Sequence, residues 1–122
     1  MIRYLYVEDD EDIREIVASM MEATHREITA VADGEAALSL MPHWHDFDLL
    51  VTDVSLPGVS GMDLARRWLA QDNRRSVLLL SGYEFGHGLA ALGPNVRSLL
   101  KSSAPEDLEA AMLKLEAGLA AG

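Results

Sequence analysis

The sequence has no cysteine. Disulfides, thiolate metal sites and cysteine nucleophiles are thereby excluded. Basic residues are scarce, with 10 Lys and Arg against 20 Asp and Glu, for a formal net charge of −10. That balance argues against nucleic acid as a direct partner, because phosphate contacts need clustered Lys and Arg. Lysine is the rarest base, present only as Lys101 and Lys114. No apolar run reaches membrane-spanning length and no signal peptide precedes the strand pattern at Ile2, so no membrane partner is expected and a cytoplasmic location is the default. No internal repeat or low-complexity tract interrupts the chain.

What remains is a sequence of 122 residues that is 49% hydrophobic and 25% charged. This suits one soluble globular domain with a single core. Residues 1–122 are therefore expected to form one unit, without a linker or a separate output domain.

Ile2 to Val7 is rich in β-formers and reads as a first strand. It ends in five consecutive carboxylates, Glu8 to Asp12. Ile13, Ile16, Val17, Met20 and Met21 then recur at helical spacing, as one apolar stripe. Glu27 to Ala32 alternates as a second strand, and Asp33-Gly34 opens a short helix that Pro42 should terminate. Leu49-Leu50-Val51 is a strand buried on both faces. It runs into Thr52-Asp53 and breaks at Pro57-Gly58.

Ser60, with Asp63 three residues on, should cap a third helix whose inward face carries Met62, Ala65, Trp68 and Leu69. Val77 to Leu80 is another uninterrupted apolar strand, ending at Ser81-Gly82. Phe85 to Leu92, with Gly86 and Gly88, is a weakly patterned fourth helical segment. Val96 to Leu100 is a fifth strand ending at Lys101. Ser103-Ala104-Pro105-Glu106 matches a capping box, opening a last helix lined by Leu108, Met112, Leu115 and Leu119.

Strict strand-helix alternation implies an α/β fold: a doubly wound, five-stranded parallel sheet with helices on both faces. The flavodoxin-like order 2-1-3-4-5 suits the apolar first, third and fourth strands. All strand C-termini then share one rim. Glu8 and Asp9, Asp53, Ser81 and Lys101 end the first, third, fourth and fifth strands.

Taken singly, each has an ordinary structural explanation: a helix N-terminus for the acidic run, a turn for Ser81, an exposed strand end for Lys101. Their joint placement at four strand ends favours a site. Crowded carboxylates repel unless a cation intervenes, and hard oxygen donors favour Mg²⁺ or a similar ion. Asp53 beside such an ion can accept a phosphoryl group, with Lys101 supplying positive charge. His43 and His45, flanking Trp44 in a polar loop, lack a third ligand and read as surface residues, and His25 and His87 read as loop residues. Arg66-Arg67 and Arg74-Arg75 read as a solvated face.

The set Val7-Glu8-Asp9-Asp10, Thr52-Asp53, Leu56-Pro57-Gly58, Gly61, Leu80-Ser81-Gly82 and Lys101 resembles the response-regulator receiver domains of two-component and phosphorelay signalling, over essentially the whole chain. The resemblance implies that Asp53 is the phosphorylated residue. It implies that Asp9, Asp53 and the backbone carbonyl of Ser55 bind Mg²⁺ (or Mn²⁺), with Glu8 holding the metal through water. Ser81 and Lys101 would contact the phosphoryl group. The donor would be a histidine kinase or a histidine phosphotransfer protein, and output would run through protein-protein contact. The domain would be a switch rather than an enzyme turning over a separate substrate.

Two positions depart from the family pattern. Ser98 stands where an aromatic switch residue is usual, which leaves Tyr83 as the candidate substitute, and Ser102 stands where a cis proline is usual. A cis bond before Ser102 would cost about 2.5–4 kcal/mol, so trans is expected. These departures keep open a degenerate receiver that docks partners without phosphorylation. A small Mg²⁺-dependent phosphohydrolase is the third alternative. It would need an acid/base group two residues after Asp53, where Ser55 stands.

Overall fold

The computed structural model describes residues 1–83 and 88–121. Five strands, β1 (Ile2–Val7), β2 (Arg26–Val31), β3 (Leu49–Asp53), β4 (Ser76–Ser81) and β5 (Val96–Leu100), form one sheet in the order β2-β1-β3-β4-β5. Every neighbouring pair is parallel. The helices are α1 (Glu11–Met21), α2 (Gly34–Ser39), α3 (Gly61–Gln71), α4 (Leu89–Leu92) and α5 (Pro105–Ala121). The expected architecture and strand order are both present.

Alternation along the strands splits the core into two layers. Tyr4, Tyr6, Leu49, Val51, Leu78 and Leu80 pack with Met21 of α1 and Leu108, Met112 and Leu115 of α5. Leu5, Val7, Leu50, Val77 and Leu79 pack on the other side with Leu64, Trp68 and Leu69 of α3. At β3 all five residues are buried, because helices cover both faces of this central strand.

Several local expectations are corrected. Ile16 is 62% exposed: it sits at the margin of the α1 stripe, and that edge faces solvent. β2 spans Arg26–Val31, one residue earlier than the alternation suggested. Pro42 does not end α2, which stops at Ser39. It sits in the first turn of a 3-10 helix, Met41–Asp46, where its missing N–H costs nothing.

Trp44, expected in a polar loop, is fully buried within that turn and donates from Nε1 to the Ala37 carbonyl at 2.9 Å. Its ring lies 5.4 Å from that of Trp68. Arg75 is likewise no solvated side chain. Its guanidinium stacks 3.5 Å over the Trp68 ring and donates to the Trp44 and Phe47 carbonyls, a planar fork filling both roles. The capping box of α5 is shifted by one residue: Asp107 Oδ2 accepts from the Ala104 N–H at 3.2 Å, and Pro105 takes the first helical position. The fourth helical segment is a single turn, Leu89–Leu92, and Phe85, Gly86 and His87 lie outside the described residues. The described backbone has no cis peptide bond, so Lys101–Ser102 is trans as expected.

Candidate cation and phosphoryl site

The site forms because strand periodicity delivers side chains to one rim. Tyr6 and Glu8, Val51 and Asp53, and Leu99 and Lys101 are pairs two residues apart. Each strand therefore carries its charged end residue on the side of the sheet covered by α1 and α5. Asp53 is 3% exposed and Glu8 1%, whereas Asp9, on the opposite phase, is exposed. One carboxylate oxygen each from Glu8, Asp9 and Asp53 lie within 4.8 Å of one another.

Lys101 closes the cluster. Its Nζ donates to Asp53 Oδ2 at 2.8 Å and lies 3.1 Å from Glu8 Oε1, an ion pair without the alignment of a hydrogen bond. Asp53 Oδ1 accepts from the Ser55 N–H at 3.2 Å, and Glu8 Oε2 accepts from the Asp10 N–H at 3.2 Å. Asp10 also caps α1 by accepting from the Ile13 N–H at 3.0 Å. Arg14 pins the loop from the helix, donating to the Glu8 carbonyl at 2.9 Å. Gly61 packs its Cα against the Asp53 carbonyl so closely that a Cβ there would clash with the oxygen.

Burial pushes the Glu8 carboxyl above its ordinary range, and the Asp10 N–H and Lys101 only partly offset this. For Lys101, partial burial disfavours the charged form, but Asp53 and Glu8 outweigh it and hold the ammonium above its ordinary range. Three carboxylates thus face one ammonium. A set of hard oxygen donors carrying surplus negative charge, and no imidazole or thiolate, fits Mg²⁺.

Of the residues singled out in the sequence, Glu8, Asp9, Asp53 and Lys101 come together, and Ser55 joins them through its amide. Ser81 is buried at the next strand end, but its hydroxyl is turned to the Tyr83 carbonyl. Tyr83 is 56% exposed, and Ser98 is half-buried on β5. His43 and His45 are exposed as expected. Arg14 escaped the sequence reading, although its place two residues after the acidic run was a usable signal. Tyr6, behind the cluster, escaped it too.

The family model for the response regulator receiver domain matches residues 4–113. The chain belongs to that family. This receiver domain is 30% identical over 107 residues to the response regulator receiver protein CpdR of Brucella abortus, covering 88% of this chain and 80% of CpdR. It is 36% identical over 66 residues to the virulence sensor protein BvgS of Bordetella bronchiseptica, covering 54% of this chain. The chain spans only 5% of the length of BvgS.

Among solved structures, the receiver domain from the hybrid histidine kinase CckA superposes with a TM-score of 0.74 at 28% identity, covering 93% of this chain and 97% of that one. Vibrio cholerae CheY4 shares the fold, with a TM-score of 0.81 at 23% identity over 94% of this chain and 98% of that one. Receiver domains are signalling switches that work with histidine kinases and phosphotransfer partners and bind Mg²⁺ at an acidic pocket. Among the described residues, no helix is long and apolar enough to cross a membrane.

Proposed function

We propose that Asp53 of this receiver domain accepts a phosphoryl group from a phosphohistidine on a histidine kinase or phosphotransfer protein, with Mg²⁺ held by Asp9, Asp53, the Ser55 carbonyl and, through water, Glu8. The observation that carries the reading is the 2.8 Å contact between Lys101 and Asp53 inside a cluster whose carboxylate oxygens lie within 4.8 Å of one another. An Asp53 oxygen attacks phosphorus, the P–N bond breaks, and its electron pair returns to the imidazole nitrogen, which takes up a proton. When bound, the divalent ion neutralises charge on the phosphoryl oxygens.

Lys101 then exchanges its partner. The ammonium that now pairs with Asp53 Oδ2 moves to a phosphoryl oxygen once Asp53 carries the acyl phosphate. Ser81 rotates its hydroxyl from the Tyr83 carbonyl to another phosphoryl oxygen. The Ser55 N–H and Gly61 keep the Asp53 backbone and Oδ1 in place, so attack needs little reorganisation. With a net charge of −10, output by protein-protein contact fits better than nucleic-acid binding.

The test is intact-mass measurement after incubation with Mg²⁺ and a small acyl-phosphate donor. The wild-type chain should gain one phosphate and Asp53→Asn none. No gain in the wild type would instead support a phosphorylation-independent docking module, and rapid turnover of phosphate esters a hydrolase.

A further inference from the structure

Tyr4 and Tyr6 stand two residues apart on β1, both fully buried on the face covered by α1 and α5. The hydroxyl of Tyr4 donates to Glu116 Oε2 at 2.6 Å. The hydroxyl of Tyr6 meets no hydrogen-bonding group among the described residues. A buried hydroxyl without a partner costs on the order of 1–3 kcal/mol, so a fold that keeps one invites the question of what it serves.

The position answers in part. Tyr6 precedes Glu8 by two residues on the same strand face. It pairs in register with Val51, which precedes Asp53 by two on the neighbouring strand. Strand side chains of one phase stack along the strand, so the ring stands directly behind both carboxylates. Burial drives the phenol above its ordinary range, and the charges acting on it are those of Glu8, Asp53 and Arg14, all at this rim. The Tyr6 hydroxyl and Glu8 Oε1 are both buried, and neither has a hydrogen-bonding partner among the described residues. A single water accepting from the hydroxyl and donating to Oε1 would satisfy both.

We infer that Tyr6 is a positioning residue for the cation: its hydroxyl, through one buried water, holds the Glu8 carboxylate in the orientation that serves the ion. This rests on the reading of the acidic cluster as a Mg²⁺ site. Residues behind metal ligands fix ligand orientation, and their loss commonly weakens metal binding by about 10-fold or more. A bridging water needs two or more hydrogen-bonding partners, and the Tyr6 hydroxyl and Glu8 Oε1 supply two. Glu8 Oε2 is held by the Asp10 N–H, whereas Oε1 has only the ion pair with Lys101. A second hold from behind restrains it when Lys101 leaves for the phosphoryl group.

Tyr6→Phe removes the hydroxyl and keeps the ring. Mg²⁺ dissociation constants would be measured by NMR titration of the Asp9 and Asp53 amides for the wild type, Tyr6→Phe and Tyr4→Phe, with urea unfolding of each in the absence of Mg²⁺. Tyr6→Phe should bind Mg²⁺ about 10-fold more weakly while unfolding no more easily. Tyr4→Phe, whose hydroxyl serves Glu116, should keep the wild-type constant. An unaltered constant in Tyr6→Phe beside normal wild-type binding overturns the inference alone. Equal weakening in Tyr4→Phe overturns it too, since any buried hydroxyl would then do. If the wild type itself binds no Mg²⁺, the metal-site reading and this inference fall together.

Discussion

At the base of the sheet, Arg26 begins β2 with a fully buried side chain and spends five hydrogen bonds on Glu109, Glu116 and the Met21 carbonyl, as many as its guanidinium has N–H groups. Tyr4 and His25 complete the shell of Glu116. At the opposite rim, Glu8, Asp9 and Asp53 share Lys101. Both clusters lie on the same side of the sheet, and both join elements far apart in the chain. The lower one commits every N–H of the Arg26 guanidinium to a partner. The upper one sets three carboxylates against one ammonium, where the lower sets two against one guanidinium, and that larger surplus separates a binding site from a structural tie.

Removing the buried cation should break the lower cluster most severely. Arg26→Met leaves two glutamates without their partner and should cost about 3 kcal/mol in urea unfolding. Binding of Mg²⁺ at the upper cluster should be unaffected in that variant. A loss under about 1 kcal/mol would mean the lower cluster is no tie.

Adding a cation should act only on the upper cluster. At 100 times its dissociation constant, Mg²⁺ should raise unfolding stability by about 2.7 kcal/mol. Arg26→Met should show the same increment and Asp53→Asn almost none, measured as urea midpoints with and without Mg²⁺. An equal increment in Asp53→Asn would remove the distinction between the clusters.

The smallest effect is on acid stability. Burial favours the neutral form of Glu116, but hydrogen bonds from Arg26, Tyr4 and His25 prevail and hold its carboxyl below the ordinary 4.5. A carboxyl lowered by folding contributes stability above that ordinary value, and the contribution is lost as pH falls through the folded one. Glu116→Gln should therefore be less stable than wild type by about 1 kcal/mol at pH 7, with the gap closing below pH 4.5. A gap independent of pH would assign the effect to shape rather than charge.

The upper cluster was legible in the sequence because its signals are local. Each strand is an apolar run, and the residue ending it falls on the shared rim of any parallel sheet, so Glu8, Asp9, Asp53, Ser81 and Lys101 could be placed without knowing a single contact. The lower cluster gave no such signal. Arg26 meets Glu109 and Glu116 across separations of 83 and 90 residues, and nothing near position 26 marks it as buried. Trp44 was hidden for a related reason: its neighbours His43 and His45 are exposed, while its own ring is drawn inward by Trp68. The shifted cap of α5 shows a tighter limit, since Ser103 and Ala104 compete within one residue and backbone geometry decides between them.

The division of aromatic rings between the two layers has an optical consequence. Trp44 and Trp68 are on the α3 side of the sheet, and Tyr4 and Tyr6 on the α1 and α5 side. Light absorbed by indole therefore reports on one half of the molecule, and phenol ultraviolet difference spectra, with the exposed Tyr83 replaced by Phe, report on the half behind the acidic rim. A change confined to one chromophore would tell which half had moved.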